Sequence, residues 1–255
     1  MAVPERVVIS GAGCCTALGH DLDSVARSLR EGRDAFRASG ALEGLSVCPA
    51  EDWGQDGARQ QFEGWRHRHY LNRGSRMAVL SGLRALRDAG LEAGLPVRSQ
   101  IIAAVGPMLD VTGEPGLPPQ DTATLGALWL LRWLPNTAAG ALARFARCHG
   151  EALTVNAACA SALQALGEGW RRIRFGLADA VLVAAGDSRL SLGGLLGYHK
   201  ARALSLCAPG TGPRPFDMGR DGFVPGEGGA AFVLESLSSA QARGAHVHAE
   251  ILGYG

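Results

Sequence analysis

The chain has 255 residues, with 25 Lys and Arg against 24 Asp and Glu and a net charge of +1. That balance excludes a globally basic surface for a nucleic-acid backbone, and a 47% hydrophobic, 19% charged composition excludes a disordered tail. No apolar run reaches bilayer length and MAVPERVVIS lacks a signal-peptide layout, so the expectation is a cytoplasmic globular protein with no membrane span and no nucleic-acid partner.

Arg6–Gly13 (RVVISGAG) reads as a buried strand ending in a turn. Asp21 caps a helix to Arg30, with Leu22, Val25, Ala26 and Leu29 on one face. Residues from Arg33 to about Arg68 show weak periodicity and read as loops. Asn72–Ala89 is a helix, with Met77, Leu80, Leu83 and Leu86 at three-residue steps and Gly90 as its stop. Gln100–Val105 is a strand, and the Pro- and Gly-rich Gly106–Gln120 is a loop. Thr122–Leu134, with Trp129 and Trp133 at i, i+4, is an apolar helix candidate. Pro135 breaks it, and Asn136–Arg147 resumes. Leu153–Ala157 is a strand, Ala160–Phe175 a helix and Asp179–Ala185 a strand returning beside the first. Gly193–Leu204 is mixed. Gly228–Leu234 and Val247–Gly253 are late strands around a helix at Ser236–Arg243. This alternation implies a layered α/β fold with a mostly parallel sheet flanked by helices.

The six cysteines form no CxxC, and no histidine stands at zinc-ligand spacing, so no metal site is expected and the thiols read as reduced. One of them, Cys159, falls where strand Leu153–Ala157 turns into a helix through Ala157-Ala158-Cys159-Ala160-Ser161. The free N–H groups and positive dipole end of a helix start favour a thiolate and an oxyanion there. An acyl-accepting nucleophile and an inert buried thiol both fit this local pattern. Further on, RPFDMGRDGFVPGEGGAAFVLE (Arg214–Glu235) places Asp221 and Glu227 among glycines before an apolar strand. It fits a loop under a site or a solvated turn. Arg171, Arg172 and Arg174 fit a carrier-protein contact or a solvated helix face. GxG at Gly11–Gly13 lacks the third glycine of a dinucleotide fingerprint.

Taken in order, RVVISGAGCCTALGHDLDSVARSLREGR, LNRGSRMAVLSGLRALRDAGL, LPNTAAGALARF, LTVNAACASALQALGEGWRRIRFGLADAVLVAAGD, GYHKARALS and RPFDMGRDGFVPGEGGAAFVLE resemble the N-terminal half of an elongating, thiolase-fold β-ketoacyl-acyl-carrier-protein synthase. The resemblance runs from Arg6 to Gly255 and is weakest over Arg33–Arg68. It implies one N-terminal domain over residues 1–255, with the family's C-terminal half absent. It implies that Cys159 takes an acyl chain from a carrier protein and that a malonyl-carrier then extends it with loss of CO2. Carrier phosphopantetheine would bear the substrates, with no other cofactor. The partners implied are acyl carrier protein and a homodimer or heterodimer mate; a non-catalytic partner of a full-length ketosynthase is the alternative. Pro107, Met108, Thr137, Asn156 and Ser161 would border the pocket, with Asp221 and Glu227 holding the loop beneath it.

Two positions and one segment depart from the family pattern. Ala157 stands where the family usually has Thr, Asn156 where it has Asp or Ser, and Gly106-Pro107-Met108 replaces a glycine-rich segment. The two histidines that assist condensation belong to the family's second half. His199 is the nearest histidine to the nucleophile unit and fits a surface position as well.

Overall fold

The computed structural model describes residues 4–106, 127–208 and 210–255. In chain order the elements are β1 (Val7–Thr16), α1 (Leu22–Arg30), β2 (Arg37–Ala38), β3 (Ser46–Val47), α2 (Gly57–Gly64), α3 (Arg73–Asp88), β4 (Ser99–Val105) and α4 (Thr137–Phe145). They continue with β5 (Ala152–Thr154), α5 (Ser161–Arg174), β6 (Ala180–Ser188), α6 (Leu192–Lys200), β7 (Glu227–Ser236), α7 (Leu237–Ala242) and β8 (Ala249–Ile251). Among the described residues, six strands make one sheet in the order β5-β4-β6-β7-β1-β8. Neighbours β5–β4 and β4–β6 are parallel, and β6–β7, β7–β1 and β1–β8 are antiparallel. Four of the six strands, β1, β4, β5 and β6, therefore point the same way.

Alternation along the strands divides the core between the two faces of the sheet. Ile101 and Leu182 join Met77, Leu80, Leu83 and Leu86 under α3 and α4. Ile102, Val181 and Val183 join Ala165 and Ile173 under α5. α3 lies so close to the sheet that glycine is required beneath it: a Cβ at Gly13 would collide with the Ser81 carbonyl oxygen, and one at Gly229 would sit 2.7 Å from the Met77 carbonyl carbon. Gly13→Ala is expected to destabilise the fold by about 1–3 kcal/mol, measured by urea unfolding, because the obstacle is backbone. At the far end, Glu235 is fully buried and receives Arg243 and Ser10 Oγ, tying β7 to α7 and β1.

Several expectations change here. The strand at Asp179 does not return beside β5, because β4 lies between them. β5 stops at Thr154, since Asn156 and Ala157 leave the sheet for the turn that carries Cys159. The stretch read as loops holds α2 and the small β2–β3 pair. α2 buries only Ala58 and Phe62, too little for visible periodicity. The mixed segment after β6 contains α6, capped by Ser191. Of the apolar helix candidate, residues 122–126 lie outside the described residues; the rest is a short 3-10 turn, Trp129–Arg132. Leu128 precedes it at φ +57°, which interrupts any helix, and Leu128, Leu130 and Leu134 stay exposed. On α5, where Leu163, Leu166, Trp170 and Ile173 at spacings of three and four predict a core stripe, Leu163 is exposed and the buried residues start at Ala165.

Candidate active site

Asn156 and Ala157 carry the chain from β5 into a 3-10 turn, Ala158–Ala160, and α5 begins at Ser161. The turn is made by a left-handed residue: Ala158 has φ +49°. That conformation costs a non-glycine residue about 1–2 kcal/mol. Ser161 braces it. Its Oγ accepts from the Ala157 N–H at 2.7 Å and donates to the Ala158 carbonyl at 2.7 Å. Cys159 is held between these anchors with its side chain exposed. Ser161→Ala leaves the Ala157 N–H unpaired and is expected to cost about 1–2 kcal/mol in urea unfolding.

Among the described residues, side-chain capping is missing at two helix starts, those of α4 and α5. Asp21, Asp56, Asn72, Ser191 and Ser236 cap α1, α2, α3, α6 and α7. No side chain caps α5, and its first turn holds no acidic residue. The Ser161 N–H is used by the Ala158 carbonyl, and the N–H groups after it in the first turn have no side-chain acceptor from the cap.

Cys159 opens onto a cleft of about 490 Å³. Its floor is Ala104 and Gly106, Ala185 and Gly186, and Gly228 to Ala230, the small residues where β4 and β6 end and β7 starts. Asn156 and Ser161 line it beside Cys159. Thr137 does not: it sits at the start of α4, its hydroxyl donating to the Leu131 carbonyl at 2.6 Å. Pro107 and Met108 lie outside the described residues.

Sequence reasoning missed Asp187, Arg189 and Tyr198, which also line the cleft. Arg189 Nε donates to Asp187 Oδ2 at 2.9 Å. The signal was available, since Asp187 follows an apolar strand at the carboxyl end of a parallel group, where open α/β sheets hold ligands. Tyr198 faces the cleft where its neighbour His199 does not, and no histidine lines it among the described residues. Neither expected loop carboxylate touches the cleft directly. Glu227, with its side chain 1% exposed, accepts from Arg73 Nε at 2.6 Å, Ser188 Oγ at 2.7 Å and the Ala50 N–H at 3.0 Å. It fixes the start of β7 just before Gly228. Asp221 accepts from Ser205 Oγ at 2.7 Å and the Leu206 N–H at 2.9 Å, and the Ser205 bond holds its carboxyl below the usual range. Ser205 N–H in turn bonds the Phe223 carbonyl, and Phe223 packs edge-on to Tyr198 at 5.2 Å. Asp221 thus supports one wall through two intermediaries.

The basic cluster on α5 is engaged locally. Arg172 pairs with Glu168 and Glu151, Arg171 lies over Tyr254, and Arg174 donates to the Glu5 carbonyl.

Comparison with known proteins agrees with this geometry. The family model described as the β-ketoacyl synthase N-terminal domain matches residues 4–240. The chain is 26% identical to 3-oxoacyl-[acyl-carrier-protein] synthase 2 of Vibrio cholerae over 98% of its own length and 63% of that protein. It is 33% identical to the tetracenomycin polyketide synthase ketoacyl synthase alpha subunit of Streptomyces glaucescens, over 72% of this chain and 46% of the relative. The solved ishigamide ketosynthase/chain length factor superposes with a TM-score of 0.80 at 28% identity, covering 99% of this chain and 63% of that one. The chain thus spans less than two thirds of the length of these relatives. With a thiolase-like layered fold and a cysteine at the strand-to-helix corner, this chain belongs to the β-ketoacyl synthase family and matches its N-terminal domain.

Proposed function

We propose that this chain supplies the acyl-accepting part of a β-ketoacyl-acyl-carrier-protein synthase in fatty acid or polyketide biosynthesis. The observation that carries the reading is Cys159, exposed on a braced turn at an uncapped helix start and facing a cleft floored by small residues. Its sulfur bonds to the carbonyl carbon of an acyl thioester on a carrier protein's phosphopantetheine arm. The carbon–sulfur bond to the arm breaks, and the proton of Cys159 ends on the released pantetheine thiol. The N–H groups at the corner hold the transient oxyanion. No dissociable cofactor enters this step.

Decarboxylation of a malonyl group, the second step of the proposal, builds up enolate charge that needs donors such as histidine. The described cleft residues include none, so this step is assigned to groups beyond them. The partners proposed are acyl carrier protein and a homodimer or heterodimer mate, in the cytoplasm, where the six free thiols stay reduced.

Transfer of a labelled acyl group from acyl-carrier protein to the folded chain tests the reading. A thioester on the chain supports it, and a folded chain that takes no acyl group overturns it. The second reading is a non-catalytic partner of a full-length ketosynthase. Its supporting observation is the exposure of Leu163 on α5 and Leu252 after β8, apolar residues without cover. It predicts stable association without acylation.

A further inference from the structure

Away from the cleft, a cavity of about 320 Å³ is lined by Arg59, Arg68, Arg73 and Arg76, together with Glu63 and Trp53. Glu51 and Asp52 also border it as exposed residues. The carboxylates are unevenly spread among the guanidinium groups. Arg59 and Arg68 share Glu63, at 2.7 and 3.0 Å. Arg73 is held by Glu227, which lies outside the cavity. Arg76 forms no ion pair among the described residues; its Nε donates to the Leu71 carbonyl at 3.1 Å.

Arg76 is half-buried, and burial followed by the nearby Arg132 pulls its pKa below the ordinary value, with Arg68 and Arg73 adding to the effect and Glu63 opposing it. Arg73 and Arg76 also occupy the first turn of α3, which holds no acidic residue. Cations at the positive end of a helix dipole are unfavourable, and this arrangement repeats that cost at two positions. The geometry is nevertheless fixed. Trp53 contacts two guanidiniums, Arg59 at 4.9 Å and Arg73 at 5.1 Å from its ring centre. A fixed group of four guanidiniums around a cavity, outnumbering its three carboxylates and one of them in no ion pair among the described residues, is complementary to a tetrahedral anion.

We propose that the cavity between α2 and the start of α3 binds a phosphate group, free or as the monoester of a small molecule, with Arg76 as its principal ligand. The site is separate from Cys159 and stands whether or not acyl loading occurs there. Isothermal titration of the full chain with inorganic phosphate, and in parallel with glycerol 3-phosphate, at constant ionic strength tests it. Saturable binding that weakens at least tenfold in Arg76→Gln is expected, with Arg76→Lys between the two. Tighter binding of glycerol 3-phosphate than of phosphate identifies a monoester, and equal binding identifies the free ion. Phosphate binding unchanged in Arg76→Gln, or no saturable binding to the wild type, overturns the proposal. Should Arg76→Gln fail to fold, Arg68→Gln carries the same test, because it removes a second guanidinium from the cavity and its exposed side chain is not part of the core.

Discussion

Cys159→Ala is expected to lower the proposed acyl transfer from acyl-carrier protein by roughly a thousandfold or more, measured by intact mass, because it deletes the atom assigned to form the new bond. Competition among thiols makes the choice of assay matter. Burial pushes the Cys15 thiol up to about 11 and also raises Cys14, so both are poor nucleophiles. Cys207 differs: its thiol is pulled below the ordinary value, chiefly by the Ser205 hydrogen bond. A small alkylating reagent would therefore label Cys207 alongside Cys159. An acyl group delivered on a carrier arm needs the cleft as well, and Cys207 does not line it. The expected result is a single acyl adduct on the wild type, the same adduct on Cys207→Ala, and none on Cys159→Ala. An adduct that survives Cys159→Ala sinks the nucleophile assignment.

The parts of this site that were legible in sequence are the local ones. A strand, five small residues and an amphipathic helix place Cys159 at a corner by chain connectivity alone, and Ser161 braces that corner from four residues away. The left-handed turn left no such trace, because alanine, not glycine, stands at position 158. Strand order was also hidden: a βαβ unit looks the same in sequence with or without β4 between its strands. The choice of Tyr198 over His199 as a cleft residue depends on the phase of α6, whose apolar residues are spread too evenly around it to reveal a face. Glu227 shows the limit most clearly. Its partners come from residues 50, 73 and 188, three segments whose meeting is a property of the folded sheet.

That meeting makes loss of the Glu227 side chain costly to the fold. Its carboxylate is buried and fully used, with Arg73, Ser188 and the Ala50 N–H all donating to it. Glu227→Ala leaves a guanidinium, a hydroxyl and an amide without their acceptor. Removing one partner of a buried pair costs about 3–5 kcal/mol, well above the value of an exposed ion pair. Arg73 is itself half-exposed, so water recovers part of its share, and the lower end of that range is the expectation. At this chain length it corresponds to a fall in Tm of about 6–12 °C. Glu227→Gln keeps an acceptor for Ser188 and Ala50 and should lose less than half as much. The functional consequence follows from the chain path: Gly228 and Gly229, the next two residues, form part of the cleft floor. A loosened start of β7 lets that floor shift under Cys159, so acyl loading in Glu227→Ala should fall even at temperatures where the variant is still folded. Loading at the wild-type rate in a folded Glu227→Ala protein would separate the hub from the site and leave it a purely structural anchor.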